Sequence, residues 1–510
     1  MLTNRFYQER LQKLTHLLKI KHNPFNEAQQ QITPIYEFLK THEEEATLTS
    51  ALSSLIGRII LIRNMGKSCF MVIQDESGQL QIYIQKNLSK ASYELLNLLD
   101  IGDIINVIGV FIKTKSNEKT LKVSSWKLIT KSLLPLPEKW HGLIDTEQRY
   151  RQRYLDLISN KNCSKIFKIR SKIISKIRSF FDNQGFVEVE TPILNDTAGG
   201  AIAKPFTTFH NSLNEHLALR IATEINLKKL IVGGFEKVYE IGRIFRNEGL
   251  SSTHNPEFTS IEFYQTNATY NELMILTEQL LRELTFHLYN KYQITYQNYT
   301  IDFAQPFKKA SICQLVGEYM HFSQEKIQHL ETCADIPLAL DLAQSNQIDH
   351  SALSELLSQH KHIYDKIHAQ NLFAHILYCI FEHKIEKTLI QPTFLLRFPI
   401  ATSPLAKKNK INSFIADRFE LYCGGMEIAN AFSELNNPIE QKNRLESQLI
   451  QNSPSTECNA IDQDFINSLE IGMAPTAGEG IGIDRLVMIL TNCLSIKDVI
   501  LFPKMKNTFL

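Results

Sequence analysis

The sequence lacks a long apolar run, a strong net charge and any close grouping of cysteines. No apolar stretch reaches the roughly 20 residues that a membrane helix needs, and the basic, amphipathic segment Met1 to Lys21 has no signal-peptide core. A formal net charge of +1 gives no global attraction to nucleic acid, so any RNA contact must come from local patches. The eight cysteines form no CxxC pair and no Cys/His cluster, which argues against structural zinc and a disulfide framework. We therefore expect a soluble cytoplasmic protein without a membrane partner.

The length and the apolar content allow more than one domain. With 510 residues and 43% hydrophobic side chains, the chain can form a large catalytic domain and a smaller module. Near the start, Leu11, Leu14, Leu17 and Leu18 recur at helical spacing and predict a helix from Arg5 to Ile20. Its basic residues lie largely on other faces, so it is either a docking helix with a solvated basic face or a direct contact for RNA.

Between about residues 49 and 132, short β-rich segments alternate with turn signals. Five predicted strands, with a helical stretch from Ala91 to Asp100 between the third and the fourth, are typical of an OB-fold barrel, which commonly binds single-stranded nucleic acid. Aromatic platforms with nearby cations hold unpaired bases. The candidates are Phe70, Gln81 and Tyr83 with Arg58, Arg63 and Lys67. A purely structural position for Phe70 in the barrel core is the alternative.

The segment Lys237 to Gln265 predicts a β-hairpin with unusually polar chemistry. Its first arm ends in Arg246, and its loop contains Glu248, His254 and Asn255. In the second arm, the period of two places Phe258, Ser260, Glu262 and Tyr264 on one face. Such a face can hold a planar base, a cation and a phosphate, whereas the alternative is a solvated hairpin with a surface salt bridge.

A second hairpin surrounds Gly424 and Gly425. Asn430, Phe432 and Glu434 share one face of it. Glu420 and Glu427 flank the turn, and hard oxygen ligands of this kind suit magnesium that bridges nucleotide phosphates. Regular alternation puts Glu427 on the face opposite Glu434, so a shared metal role requires a bulge or a bend. Two acidic residues near a turn are otherwise usually solvated.

Near the C-terminus, APTAGEGIGIDRLVMIL predicts a glycine-rich turn that enters a helix, with Asp484 and Arg485 at its start. Upstream, a helix over Ser164 to Phe181 precedes the strand FVEVETP, which ends at Pro192. Taken together, these segments resemble the three motifs of the class II aminoacyl-tRNA synthetases. The string FRNEG followed by HNPEFT resembles in particular the bacterial type of the lysyl-tRNA synthetases.

This resemblance implies an α+β, multidomain fold. The N-terminal basic helix and lead-in would span 1–48, an OB-fold anticodon-binding domain 49–132, and a linker 133–148. The class II catalytic domain, an antiparallel sheet flanked by helices, would span 149–510 with a helical insertion at about 305–390. The first motif forms the dimer interface in these enzymes, so the resemblance also implies a homodimer.

The resemblance further implies roles for individual residues. ATP would contact Arg246, Glu248, His254, Asn255, Phe258, Glu420 and Arg485, with Arg246, His254 and Arg485 as the catalytic groups and Mg²⁺ between Glu420 and Glu427. L-lysine would contact Gly200, Glu224, Glu262, Tyr264, Asn430, Phe432 and Glu434, and anticodon bases would contact Arg63, Phe70 and Gln81. The sequence departs from the more usual residues of these enzymes at FEHKIE, Arg397, Ala401, Asn437 and Glu479.

The implied activity is ATP-dependent ligation of L-lysine to tRNA(Lys) through lysyl-adenylate, with release of pyrophosphate and AMP. An aspartyl or asparaginyl synthetase is the alternative with the same fold, but it would have little use for Glu262 and Glu434 in the pocket. A translation-factor lysylase is a second alternative, and it would lack the barrel module. A module that only binds RNA is the alternative outside enzymology.

Overall fold

The computed structural model describes residues 5–27, 31–44, 51–66, 68–85, 94–137, 143, 145–197, 199–201, 203–333, 335–348, 366–451 and 461–506. Lys67 and Ala91 lie outside these residues. The chain divides into two compact units, Met1–Ile144 and Asp145–Leu510. The finer division predicted from the sequence, with its 1–48 lead-in and 133–148 linker, stays a prediction. No helix in the described ranges is long and apolar enough to cross a membrane.

The first unit contains a closed five-stranded barrel in the order β1-β2-β3-β5-β4. Alternate side chains point inward and form its core, among them Met71, Ile73, Ile82 and Ile84. The predicted OB-fold is confirmed. The strands are β1 Ser53–Met65, β2 Ser68–Gln74, β3 Gln79–Gln85, β4 Ile104–Lys113 and β5 Lys119–Thr130, with a 3₁₀ turn at Leu96–Leu98 before β4.

The N-terminal helix α1, Arg5–Lys19, docks on the barrel unit. Leu17 joins the barrel core. Arg10 is also buried, and its guanidinium is satisfied there by donating to the carbonyl oxygens of Ile101 (2.9 Å), Ser132 (3.2 Å) and Leu134 (2.9 Å). Lys13 pairs with Asp100. The helix therefore docks on the barrel, but its basic face is not wholly solvated as expected, because Arg10 and Lys13 take part in the docking. A second helix, α2, spans Ile35–Glu44.

The second unit is organised by a mostly antiparallel eight-stranded sheet, in the order β14-β15-β16-β17-β18-β11-β10-β6. Only the two ends of the sheet, β6 with β10 and β14 with β15, pair in parallel. Its strands are β6 Val187–Glu188, β10 Lys237–Phe245, β11 Glu257–Thr266, β14 Lys308–Ser311, β15 Thr393–Leu396, β16 Arg418–Cys423, β17 Met426–Ser433 and β18 Thr476–Gly482. A small sheet contains β7 Leu194–Asn195, β8 Thr207–His210 and β9 Glu215–Leu219, and β12 Gln293–Tyr296 pairs with β13 Tyr299–Asp302.

Helices cover one face of the large sheet because the central odd-numbered residues of β11, Ile261 and Phe263, are apolar and fully buried on that face. The polar even-numbered residues are left on the opposite face. The helices of this unit are α3 Thr146–Arg151, α4 Arg153–Ser159, α5 Lys161–Asn183, α6 Glu224–Val232, α7 Tyr270–Tyr289, α8 Ile312–Tyr319, α9 Gln324–Thr332, α10 Ile336–Ser345, α11 Lys366–Ile380, α12 Pro438–Gln451, α13 Gln463–Ile471, α14 Ile483–Thr491 and α15 Ile496–Val499.

The predicted helical insertion has a core of its own. Leu315, Val316, Ile376 and Leu377 are buried together between α8 and α11. The segment is not wholly helical, however, because β14 within it forms the parallel edge of the main sheet.

The glycine-rich segment before Asp484 is a strand, so the predicted turn is wrong. Residues Thr476–Gly482 form β18, which pairs with β11 on one side and β17 on the other. Glycine normally weakens strands, but here residues 477–481 have a paired strand on both sides. On the helix-covered face of β18, the buried Glu479 contacts the Thr277 hydroxyl at 2.7 Å, and burial raises the pKa of this carboxyl well above its usual range.

Candidate active site

The open face of the large sheet gathers side chains from both predicted hairpins. The cross-strand pairs Glu262↔Gly480, Asn430↔Gly480 and Glu420↔Asn430 place these residues on one face. In the middle, Gly478, Gly480 and Gly482 of β18 present no side chain, so a trough runs between β11 and β17. A Cβ on Gly478 would overlap both the Tyr264 ring and Glu434 Oε1. The trough therefore exists because β18 is glycine-rich.

One end of the trough concentrates carboxylates. Glu434 is 1% exposed and Tyr264 is 3% exposed, and both lie over Gly478, with Glu262 on the same face of β11. The carboxylate of Glu434 pairs through Oε2 with Lys228, whereas Oε1 has no hydrogen-bond partner among the described residues. A buried carboxylate oxygen without a donor is costly unless a ligand supplies one. This end of the trough is thus built to receive a hydrogen-bond donor.

The acidic groups at this end perturb one another. The pKa of Glu262 is raised to about 7, chiefly by burial and also by the nearby Glu224 carboxylate, whereas hydrogen bonds from Thr223, including its N–H to Oε2 at 3.2 Å, oppose the shift. Burial likewise raises the pKa of Glu434, with Lys228 opposing the shift and Glu224 adding to it. A bound cation would reverse both shifts because it favours the charged carboxylates.

Glu224 and Gly200 lie together at the start of α6. Glu224 is buried and pairs with Lys228 Nζ at 2.5 Å, so it is not the exposed helix-start carboxylate that its sequence position favours. Gly200 has a φ of +87°, and a Cβ there would lie 3.1 Å from the Cβ atoms of Ala222 and Glu224. The structure therefore brings together the two residues expected around an α-ammonium group.

The neighbouring part of the hairpin carries an arginine on an aromatic ring. The Arg246 guanidinium lies 5.3 Å from the centroid of the Phe258 ring, and its Nε donates to the Ile221 carbonyl oxygen at 3.3 Å. The Asn255 amide donates to the Glu257 carbonyl and accepts from the Lys504 N–H, so Asn255 fixes the loop. The Glu248 side chain is exposed at the tip of the hairpin.

Arg485 connects two other predicted site residues, Glu427 and His254. Its guanidinium donates to the Glu427 carbonyl oxygen at 2.8 Å and approaches the Glu427 carboxylate at 3.4 Å, and it lies 3.0 Å from His254 Nε2. Because a guanidinium only donates, His254 Nε2 accepts and Nδ1 carries the proton toward Ser251 Oγ. Burial and the Arg485 charge lower the pKa of His254, which agrees with this neutral form.

Asp484 supports the site from beneath. Its carboxylate accepts from the Thr259 N–H at 2.7 Å and pairs with Arg170 of α5. Arg170 also donates to the Thr259 hydroxyl at 3.0 Å. This ion pair links the long helix α5 to β11 and to the start of α14.

The bulge that a shared metal role requires is present. The β16–β17 register shifts between Leu421 and Tyr422, so Tyr422 pairs with Glu427 and Glu420 pairs with Asn430. Because Tyr422 and Glu420 share a face, Glu427 lies on the open face as well.

These two carboxylates suit a divalent cation. Burial raises the pKa of Glu420 to about 7, Arg418 opposes that shift, and Glu427 adds to it. Two acids that repel each other on an open face are chemically apt for Mg²⁺. The described residues contain no group of three or more His, Cys, Asp or Glu able to hold a metal by themselves. Any ion here would need further oxygen ligands, from water or from a bound phosphate.

Several functional neighbours were missed from the sequence. Lys228 bridges Glu224 and Glu434. Arg418 donates to Asn430 Oδ1 at 3.0 Å and to the Glu420 carboxylate at 2.5 Å. Burial and the nearby Glu427 carboxylate raise the pKa of Glu386. The spacing of four between Glu224 and Lys228 was a readable signal, since such pairs share a helix face. Arg418 and Glu420 are two residues apart on β16, so their side chains share one face of the sheet, which was a second readable signal. Nothing in the segment FEHKIE indicated its proximity to Glu427.

The barrel carries its own candidate surface. Phe70 is partly exposed on the outside and stacks on Tyr83 with ring centroids 4.8 Å apart, so it is not a core residue. Arg63 pairs with Phe70 across β1 and β2, and Gln81 donates to Thr120 Oγ1 at 2.8 Å one row away. Arg58 instead donates to the Gly102 carbonyl oxygen at 2.7 Å. Arg63, Phe70 and Tyr83 thus form one continuous aromatic and cationic row.

Comparisons with known proteins agree with both units. The family of class II tRNA synthetases (D, K and N) matches residues 145–506, and the OB-fold nucleic acid binding domain family matches residues 54–129. The chain is 44% identical to the lysine--tRNA ligase of Staphylococcus saprophyticus over 509 residues, which cover 98% of both chains. It is 44% identical to that of Prochlorococcus marinus strain MIT 9312 over 481 residues, covering 92% of this chain and 89% of the relative. The chain belongs to the class II tRNA synthetases and, within them, to the lysine--tRNA ligases.

Proposed function

We propose that the chain ligates L-lysine to tRNA(Lys) at the expense of ATP, through lysyl-adenylate, releasing pyrophosphate and AMP for protein synthesis. The observation that carries this proposal is the acidic end of the trough, where Glu262 and the buried, partly unpartnered Glu434 meet Tyr264 over Gly478. The ε-ammonium of lysine offers three donors to two carboxylates and a phenol. The names of the relatives identify the same amino acid.

The alternatives fit less well. Aspartate would bring a further anion to Glu262 and Glu434, and asparagine would add no positive charge to these carboxylates, of which only Glu434 pairs with Lys228. A lysylase acting on a translation factor would not use an anticodon-type barrel, whereas here the barrel is complete. A module that only binds RNA has no need for the carboxylates of the trough.

In the activation step, the lysine carboxylate attacks the α-phosphate and pyrophosphate leaves. Arg246 is positioned by Phe258 to bind the α-phosphate and the carboxylate, and Arg485 with His254 faces the outer phosphates. Phe258 also offers a ring on which adenine stacks, with Glu248 and Asn255 beside the nucleotide. The terminal ribose hydroxyl of the tRNA then takes the lysyl group. The protein supplies orientation and charge stabilisation and needs no nucleophile of its own.

Glu420 and Glu427 would hold Mg²⁺, with nucleotide phosphate oxygens completing its coordination. Bound there, the ion neutralises phosphate charge. Arg418 and the Tyr422 hydroxyl orient the Glu420 carboxylate, at 2.5 Å and 2.7 Å respectively. Gly200 and Glu224 would hold the α-ammonium group of lysine, and Asn430 and Phe432 would line the side-chain end.

The remaining assignments concern macromolecular partners. The row of Arg63, Phe70 and Tyr83, with Gln81 beside it, would bind the anticodon. A homodimer is supported by apolar side chains exposed around β6 to β9, namely Val187, Ile193, Leu194, Phe209 and Leu213. A sedimentation experiment that finds only monomer at micromolar concentration would contradict the proposed homodimer. A cytoplasmic location agrees with the seven described cysteines, all of which are free.

The decisive experiment is ATP–pyrophosphate exchange with the standard amino acids, one at a time. We expect lysine alone to support rapid exchange, followed by lysine transfer to tRNA(Lys). Exchange that depends on aspartate or asparagine would replace the proposal with an alternative enzyme. Absence of exchange with every amino acid, in a folded protein that binds tRNA, would favour the RNA-binding module.

A further inference from the structure

Lys228 is a completely buried cation at the acidic end of the trough. Its side chain is 0% exposed, and Nζ bridges Glu224 of its own helix, at 2.5 Å, and Glu434 beyond β17. The rings of Phe432 and Phe465 lie 5.4 Å and 5.8 Å from Nζ. The same ammonium therefore touches the residue expected at the α-ammonium end of the amino acid and the residue expected at the side-chain end.

The charged groups around Lys228 include more carboxylates than cations. Glu224 comes from α6, Glu434 from the segment after β17, and Glu262 and Tyr264 from β11. Burial alone lowers the pKa of Lys228, but Glu224 and Glu434 outweigh it and raise that pKa, so Lys228 stays charged. Arg246, assigned above to the α-phosphate and the carboxylate of lysine, also acts on Glu262 and opposes the rise of its pKa. Apart from Arg246, three ionised carboxylates and the single ammonium of Lys228 leave two negative charges. Lysine carries two ammonium groups.

We propose that Lys228 is a positioning residue that bridges Glu224 to Glu434 and sets the charge of the pocket to match a diammonium amino acid. This inference rests on the proposed lysine specificity and adds a residue that does not itself touch the reacting atoms. Without Lys228, the three buried carboxylates would keep only Arg246, which acts on Glu262, as a nearby cation, and the pocket would take up protons. Lysine would then have to displace those protons in order to bind.

The prediction concerns lysine binding and its pH dependence. In Lys228→Met, the KM for lysine should rise about 10-fold or more at pH 7, the scale typical of partners that orient ligand-binding groups. That loss should shrink as the pH rises to 9, because the carboxylates then ionise without help. The KM for ATP should stay near that of the wild type. The preference for lysine over norleucine should fall, because a protonated pocket no longer rejects a neutral side chain.

Lys229→Met is the matched control, since its neighbouring ammonium pairs with Asp462 at 3.1 Å and Asp464 at 2.8 Å, outside the pocket. Exchange kinetics of the full chain are measured from pH 6.5 to 9 for the wild type and both variants. If Lys228→Met matches Lys229→Met in its lysine KM and pH profile, Lys228 is only structural and the inference is overturned. A wild type that does not exchange with lysine would instead overturn the proposed function.

Folding provides a second measurement. If Lys228→Met is too unstable for kinetics, the double variant Lys228→Met/Glu434→Gln should regain part of the lost thermal stability, because it removes one of the two carboxylates that Lys228→Met leaves unpaired. A double variant no more stable than the single one would show that the loss does not come from unpaired carboxylates, and would also overturn the inference.

Discussion

Replacing Glu434 with glutamine tests the lysine pocket most directly. The change keeps the side-chain volume, so the close packing of Glu434 against Gly478 and Tyr264 is preserved. It removes one of the two carboxylates proposed to bind the ε-ammonium. It also turns an amide NH₂ toward either the Lys228 ammonium or the ε-ammonium of the substrate, both of which only donate. The variant therefore loses an attraction and gains a mismatch.

The expected cost follows from the burial of the group. Because Glu434 is 1% exposed, water does not replace the lost carboxylate, and breaking a buried charge pair costs roughly 2 to 4 kcal/mol. That range corresponds to a fall of about 30- to 1,000-fold in kcat/KM for lysine. The KM for ATP should change little. Lysine over norleucine selectivity should fall, and Glu262→Gln should behave in the same way.

Exchange kinetics with lysine and norleucine measure both effects. Glu440→Gln is the control, because Glu440 also carries ion pairs, with Arg444 at 2.5 Å and Lys408 at 2.7 Å, but lies on α12 outside the pocket. A folded Glu434→Gln variant that keeps the lysine preference of the wild type would remove Glu434 from the pocket. An equal loss in the control would show that the assay reports stability.

Three further predictions concern other parts of the chain. Arg246→Ala should slow adenylate formation by a factor on the order of 100 to 1,000, because a preorganised donor is lost, and near-normal single-turnover activation would make Arg246 merely structural. Phe70→Ala should raise the tRNA concentration needed for charging and leave pyrophosphate exchange intact; an equal loss of exchange in a folded variant would contradict the separation of roles. Glu479→Leu should be more stable than the wild type, by a margin that grows as the pH rises above the ordinary carboxyl pKa. The reason is that the pKa of Glu479 is raised in the folded state, so the wild type loses stability as the pH rises. A difference in melting temperature between variant and wild type that does not grow between pH 5 and 8 would refute this.

The alternation of side chains between the two faces of a strand could be read from the sequence, whereas the departures from that alternation could not. The period of two correctly placed Phe258, Glu262 and Tyr264 on one face, because both neighbours of β11 keep a regular register. The bulge that brings Glu427 to that face is set by the pairing of β16 with β17, so alternation within one strand could not show it. The glycines led to the wrong prediction for β18. Their turn propensity is a local property, whereas the strand forms because β11 and β17 pair with it, and that pairing is a tertiary property. Lys228 was missed because a lysine on a helix is normally solvated.

The same glycines explain how two hairpins form one pocket. A strand with side chains at 478, 480 and 482 would fill the space between β11 and β17, and Gly478 has no room for even a methyl group. Each glycine costs the strand roughly 0.5 to 1 kcal/mol relative to alanine, a loss that pairing on both edges offsets. In return, Tyr264 from one hairpin and Glu434 from the other approach the same point. In the proposed pocket, the residues assigned to select lysine and the glycine that leaves room for them therefore lie on different strands, and β18 contributes no side chain to that pocket.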